Sequence, residues 1–283
     1  MRKIMGLVFH YDEWRLHDTL WEIIKLSLPE PKKHPLGCHN PRVSDRSAMN
    51  AILFVLRIGC QWNALNMTRI CSCSSAYRRF REWTKAGVFA AIWVQQLIEY
   101  EKCRGIDWAW TSMDGALTKA PLAGQQTTGA NPTDRGKQGV KRSVLTDGAG
   151  IPLAVAVAID GANRHDMKLV RSTLEDIKAK RPDPTDIKPQ GICLDKGYDY
   201  DEVREIVKEF GFTAHIRSRG EEAKSIKQEA GFKARRWVVE RTHSWMNRFR
   251  RILVRWEKLP ETYIAMLHLT CALITLRAYC LPK

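Results

Sequence analysis

Two runs in the second half of the chain constrain the fold more than anything else in it. "PLAVAVAIDG" from Pro152 and "QGICLDKG" from Gln190 are short, apolar and bounded by Gly, Asp or Pro, which is the grammar of buried strands. "WTSMD" and "KRSVLTD" read as two further strands, the second joined to "PLAVAVAIDG" through a glycine turn. Helical period follows over Asp166–Lys180, with Asp166 as its cap, and again over Asp199–Phe210; "TAHIR" closes the series as a strand. Strands in one long hairpin, followed by strands separated by crossover helices, predict an α/β unit around a mixed sheet. Between Thr118 and Lys137 the polar, Gly/Pro-rich "KAPLAGQQTTGANPTDRGK" reads as a long loop.

The first hundred residues follow a different period. Asp18–Leu26 is amphipathic and stops before Pro29 and Pro31. Ser44 or Asp45 caps a helix bearing Ala48, Ile52, Val55 and Leu56, with Gly59 just past its end. Ser74 is placed to cap "SAYRRFREWTKAG", and Val88–Tyr100 reads as the next helix. Arg78, Arg79 and Arg81 on exposed positions suit a helix-turn-helix-like unit, the alternative being a helical cap that merely packs on the next domain. The expected organisation is a helical DNA-binding domain over residues 1–105 and an α/β domain over 106–283. Ile264–Leu276, interrupted by His268, is shorter than a membrane span and reads as a buried helix. Eight cysteines at irregular spacing, with no leader pattern before them, read as reduced thiols of a cytoplasmic protein. Cys71 and Cys73 read as loop thiols, because zinc would need two more ligands, such as His34, Cys38 or His39.

Charge narrows the function. The formal net charge is +15, and from Arg217 to Lys258 there are 13 Lys or Arg against 5 Asp or Glu. That concentration is an electrostatic footprint for a polyanion. Within it, "RRWVVERTHSWMNRFRR" (residues 235–251) has six arginines and one acid, Glu240. On a continuous helix Arg236, Glu240, Asn247 and Arg251 share one face, while Thr242, Trp245, Phe249, Ile252 and Trp256 form the opposite, apolar stripe.

Acids at strand ends are where a mixed sheet gathers ligands. Asp114 lies late in its strand before a glycine, Asp195 directly follows "GICL", and Glu240 adds a third acid from a helix. Carboxylate oxygens are the donors Mg²⁺ prefers, and a pair of such ions activates water or a 3′-hydroxyl against a phosphodiester. Asp147, Asp160 and Asp166 also end or follow regular elements, and periodicity does not choose among the six.

The segments "AILFVLRIGCQWNAL", "SAYRRFREWTKAGVFAAIW", "DRGKQGVKRSVLTDGAGIPLAVAVAIDGANRHDMKLV", "LDKGYDYDEVR" and "RRWVVERTHSWMNRFRRI", in this order and at these intervals, resemble a bacterial insertion-sequence transposase of the DDE type, in the large family numbered five. The resemblance covers nearly the whole chain. It implies a ribonuclease-H-like catalytic core in which Asp114, Asp195 and Glu240 are the catalytic acids and hold two Mg²⁺ ions, with Mn²⁺ as a substitute. His165 and Asp166 match the family's "NRHD" stretch as supporting residues. Only 44 residues separate Asp195 from Glu240, which matches the compact form of the family. Arg236 fits the arginine that related enzymes place before the glutamate, whereas Lys233 stands where they have tyrosine, and Asn247, then Arg248, where they have a basic residue. Asn66 likewise replaces a common proline.

The implied activity is transposition of the encoding element in a bacterial cytoplasm, on the nucleoid. Terminal inverted repeats are bound, a 3′-hydroxyl is freed, and that hydroxyl is joined to target DNA. Arg236, Arg241 and Arg248 are the expected main phosphate contacts, with Arg78, Arg79, Arg81, Lys137, Lys141 and Arg251 as further ones. Pairing two ends calls for a dimer or larger complex on double-stranded DNA, away from any membrane. The alternatives are a nuclease that cuts without joining and a degenerate copy that only binds DNA.

Overall fold

The computed structural model describes residues 16, 18–30, 42–124, 128–158, 166–216 and 237–280. Helix α1 covers Asp18–Leu26 and α2 covers Asp45–Ile58. Ser44 caps α2 by accepting from the Ser47 amide, and Gly59 ends it at φ 75° with its N–H on the Val55 carbonyl. Gly59 is required twice over, because a Cβ there would stand 2.9 Å from the Arg250 Cβ. Helix α3, Cys73–Lys85, is capped by Ser72 rather than by the expected Ser74. Helix α4, Val88–Arg104, buries Val88, Phe89, Ile92, Trp93, Gln96, Leu97 and Tyr100. That set is too wide for one partner, and α4 packs against α3 on one side and the long C-terminal helix on another.

Six strands form one sheet: β1 Thr111–Lys119, β2 Gly129–Ala130, β3 Gln138–Thr146, β4 Pro152–Ala158, β5 Gly191–Leu194 and β6 Thr213–Ile216. Across the sheet the order is β4, β3, β1, β5, β6, with β2 added on β3. Strand β1 runs antiparallel to β3 and parallel to β5, and β5 is parallel to β6. A central strand with an antiparallel hairpin on one side and two parallel strands on the other is the expected ribonuclease-H-like mixed sheet. Helices α5 (Val170–Glu175) and α6 (Asp201–Glu209) make the crossovers. Helix α5 is much shorter than the sequence period over Asp166–Lys180 predicts, since a 3₁₀ turn over Asp166–Leu169 precedes it.

Helix α7 covers Trp237–Met246 and α8 covers Pro260–Cys280. The continuous helix expected from Arg236 past Trp256 therefore ends at Met246. Phe249 is extended, and a 3₁₀ turn follows over Arg250–Ile252. This break still drops Phe249 and Ile252 into the core, and it lets the Arg255 amide donate to the Lys119 carbonyl at 2.7 Å. It leaves Trp256 partly exposed and removes Arg251 from the helix that carries Glu240. Helix α8 is long and apolar enough to cross a membrane, but most of it is buried along α4 and β4.

A single buried cluster runs from Leu16 through Trp83, Trp93, Val144 and Ile192 to Ile274. The boundary expected at residues 105/106 thus separates two periodicities but lies within one core. Buried Asp147 fastens the two halves. It accepts from the Tyr100 hydroxyl of α4 at 3.0 Å, and from the Ala149 and Ile151 amides of the β3–β4 turn at 3.0 and 2.8 Å. Burial pushes its carboxyl up to about 6. A raised acid stabilises the fold fully below the unfolded value of 3.8 and loses that contribution as pH rises through about 6. The expected loss is on the order of 3 kcal/mol. Urea titrations between pH 4 and 7.5 should show this decline in the native chain and a flatter profile in Asp147→Asn. Tyr100→Phe should cost about 1–3 kcal/mol at either end. The described cysteines are all free thiols. His34, Cys38 and His39 lie outside the described residues.

Candidate active site

The register of the sheet brings two of the expected acids together. Thr111 pairs with Ile192 and Ser112 with Cys193 across the parallel β1–β5 ladder. Two residues further along, the same register sets Asp114 beside Asp195, the residue immediately after β5. Neighbouring strands lie about 4.8 Å apart, and partners in register point to the same face. Asp195 turns the chain: its Oδ1 accepts from the Lys196 amide at 2.8 Å and caps a 3₁₀ turn over Lys196–Tyr198. Asp114 accepts from the Gly115 amide at 2.8 Å and is half-buried.

Glu240 comes from the first turn of α7, a helix laid across β1 and β3. The helix presses Val238, Val239, Thr242, His243 and Met246 inward and leaves Glu240 exposed. One turn after Glu240, the His243 imidazole is buried, with neither ring nitrogen hydrogen-bonded among the described residues. Burial, reinforced by the Arg142 guanidinium, holds that imidazole down at about 3, so it is neutral at physiological pH. Among the described residues no three His, Cys, Asp or Glu side chains stand close enough to hold a metal ion. Extended beyond its paired residues, the β1–β5 register leads Asp114 toward Asp195, while Glu240 stands on the helix laid across β1 and β3.

Arg142 lies on the same sheet face. It pairs in register with Ala116, one alternation from Asp114, is 3% exposed, and donates from Nη2 to the Asn247 Oδ1 at 2.9 Å. Neither Arg142 nor His243 figured in the sequence reading. Strand parity alone puts Arg142 on the Asp114 face, but only once the β1–β3 register is known.

Comparison with known proteins gives this arrangement a lineage. A family model described as "Putative transposase of IS4/5 family" matches residues 16–93, and one described as "Transposase DDE domain" matches residues 192–277, the stretch with Asp195 and Glu240. A Burkholderia cepacia protein named "Putative transposase for insertion sequence element IS402" is 36% identical over 154 residues, which is 53% of this chain and 69% of that protein. The chain belongs to the IS4/5 family of insertion-sequence transposases.

A second Burkholderia cepacia protein, "Insertion element IS402 uncharacterized 16.2 kDa protein", is 33% identical over 42% of this transposase and 83% of its own length. Among solved structures, a pre-cleavage Mos1 transpososome covers 90% of this chain and 83% of its own at 10% identity and a TM-score of 0.26. The Mos1 strand transfer complex covers 90% and 82% at 10% identity and a TM-score of 0.28. Overlaps this loose fix no residue equivalence.

The expected DNA-contacting cations of the transposase divide into distinct groups. Arg78, Lys137 and Arg248 are exposed. Arg79 is buried instead of exposed, its Nε 3.0 Å from Asp45 and its Nη1 2.9 Å from Glu82, so its charge is spent joining α2 to α3. Arg251 is buried too, bonded to the Glu257 carboxylate at 2.7 Å and the Cys60 carbonyl at 2.9 Å. Both are corrections: an arginine held by internal acceptors has no face left for a phosphate. Lys141 is buried in β3, and Arg81 is half-buried beside Glu261 at 3.6 Å. Arg241 lies 4.8 Å from the rings of both Trp237 and Trp245 and donates to the Ala149 carbonyl, which fastens α7 to the β3–β4 turn. Asp147 leaves the contest among the acids, since its oxygens serve that turn and Tyr100. Asp166 opens a 3₁₀ turn. Arg236, Lys233, Asp160 and His165 lie outside the described residues.

Proposed function

We propose that this transposase cuts the terminal inverted repeats of its own insertion element and joins the freed 3′-hydroxyl to target DNA, with Asp114, Asp195 and Glu240 as the catalytic acids. The observation that carries this reading is the parallel β1–β5 register, which continued two residues brings Asp114 level with Asp195, with Glu240 on the helix laid across β1 and β3. Two carboxylates held side by side repel, and a site built this way is suited to a divalent cation. The donor set is all oxygen, which fits Mg²⁺, with Mn²⁺ as a substitute. When bound, two such ions supply an activated oxygen nucleophile and counter-charge for the leaving oxygen.

The protein's own part is to place the substrate. Arg248, just past α7, and Lys137, before β3, present exposed cations to the phosphate backbone. Arg78 on α3 does so from the helical region, so that the division at residue 105 is one of labour: recognition before it, chemistry after it. Pairing two element ends requires two such sites, hence a dimer or larger complex assembled on DNA at the nucleoid of a bacterial cell.

A labelled duplex carrying the flanking inverted repeat tests this. Metal-dependent release of a 3′-hydroxyl end, followed by joining to a second duplex, is the expected result. Cleavage that never proceeds to joining would make the protein a nuclease; binding with no cleavage in Mg²⁺ or Mn²⁺ would leave only a DNA-binding relic. In the same assay Arg248→Ala should flatten the dependence of log K on log salt by about 0.9, one phosphate contact, with no loss of fold.

A further inference from the structure

Among the described residues, Arg142 is a buried arginine whose donors are left largely unmatched. Arg79 is offset by Asp45 and Glu82, and Arg251 by Glu257. Arg142 is as deeply buried, yet among the described residues no carboxylate stands within ion-pair distance of it. Among the described residues its Nε and Nη1 are buried without an acceptor, and its Nη2 bonds to the amide of Asn247. A guanidinium taken out of water without a directly ion-paired carboxylate is costly.

The geometry points to Arg142 as a positioning residue that supplies positive charge to a phosphate-binding amide at Asn247. A guanidinium has only donors, so the atom of Asn247 that faces it must be Oδ1. The Nδ2 group is then turned away from Arg142 on a residue that is exposed, seven positions after Glu240. Its two N–H bonds are polarised by the cation behind them, and they form a fixed donor for a DNA phosphate oxygen. Asn247 follows the last turn of α7, whose terminal carbonyls carry about half a negative charge and by themselves repel a phosphate. The full charge of Arg142 outweighs that half charge, and burial keeps it from being screened by salt. Arg142 thus acts on DNA through Asn247, at a place where the chain has an amide and no basic side chain. This inference rests on the proposal that DNA lies over the Asp114–Glu240 face.

Equilibrium binding of a labelled element-end duplex, from 50 to 300 mM salt, tests it with native chain, Arg142→Met, Asn247→Ala, Asn247→Asp and the double variant R142M/N247A. Expected is a roughly tenfold weaker binding for each of Arg142→Met and Asn247→Ala, and no further loss in the double variant, since the two act as one unit. Arg142→Met should melt at or above the native temperature, because an unpaired buried charge has gone, so its loss of affinity cannot come from unfolding. Asn247→Asp should also melt higher, by pairing with Arg142, while binding DNA less well than Asn247→Ala. Native affinity and salt slope in Arg142→Met, or additive losses in the double variant, overturn the inference; should Arg142→Met not fold, native affinity in the exposed variant Asn247→Ala does so. Failure of the native chain to bind any duplex instead overturns the functional reading beneath it.

Discussion

Asp195→Ala is expected to leave strand cleavage at least about 10³-fold slower while DNA affinity stays within a few-fold of native. The size of the effect follows from where Asp195 sits. It directly follows β5, on the same face as Asp114, so its removal leaves one strand-borne carboxylate where two stood in register. A single carboxylate holds a divalent cation weakly, and the nucleophile and leaving oxygen lose their shared anchor together. The backbone consequence is small, because Asp195 caps only a three-residue 3₁₀ turn that is anchored by buried Tyr198. Binding is expected to survive because the exposed cations proposed to meet the phosphate backbone lie elsewhere, at Arg248, Lys137 and Arg78. Gel-based cleavage and filter binding on one preparation separate the two effects. A variant that cleaves at native rate removes Asp195 from the acid set, and one that loses cleavage and binding in parallel makes it a folding residue.

Much of this architecture was legible in the residues. The strand grammar gave the mixed sheet because apolar runs punctuated by Gly and Asp have few other solutions in water. The pairing of Asp114 with Asp195 was not legible from strand period alone, because period places a residue on a face but leaves the register between strands undetermined; it took the resemblance to single these two out from Asp147. Burial of charge was the least legible feature. Arg79 and Arg251 sit in basic runs that look like solvated faces, and each has one partner remote in the chain beside a nearer one: Asp45 is 34 positions from Arg79, and Cys60 is 191 from Arg251. Local charge counts carry no information about such distant acceptors. The helix from Arg236 past Trp256 failed for a related reason. The apolar period persists through Phe249 and Ile252, but the chain breaks at Asn247–Phe249 so that Arg255 can reach Lys119 on β1.

Arg251 gives the second large effect, and it is one of stability rather than of DNA contact. Its guanidinium donates to Glu257 at 2.7 Å, with both side chains under a tenth exposed, and to the Cys60 carbonyl just beyond the end of α2. The charge thereby ties the 3₁₀ turn after α7 to the helical region, at the point where Gly59 passes under Arg250. Arg251→Ala strands the Glu257 carboxyl, which burial already pushes up from its ordinary value and which Arg251 holds down. Breaking one side of such a pair costs about 3–5 kcal/mol, a large part of the stability of an ordinary domain. Urea denaturation at pH 7 should show that loss in Arg251→Ala. The double variant R251M/E257M should recover most of it, since an apolar pair of similar volume leaves no buried charge behind. In the folded fraction of Arg251→Ala the salt slope of DNA binding should match native, unlike that of Arg248→Ala. A reduced slope would return Arg251 to the DNA surface, and a loss in R251M/E257M as large as in the single variant would mean that packing, and not the stranded charge, sets the cost.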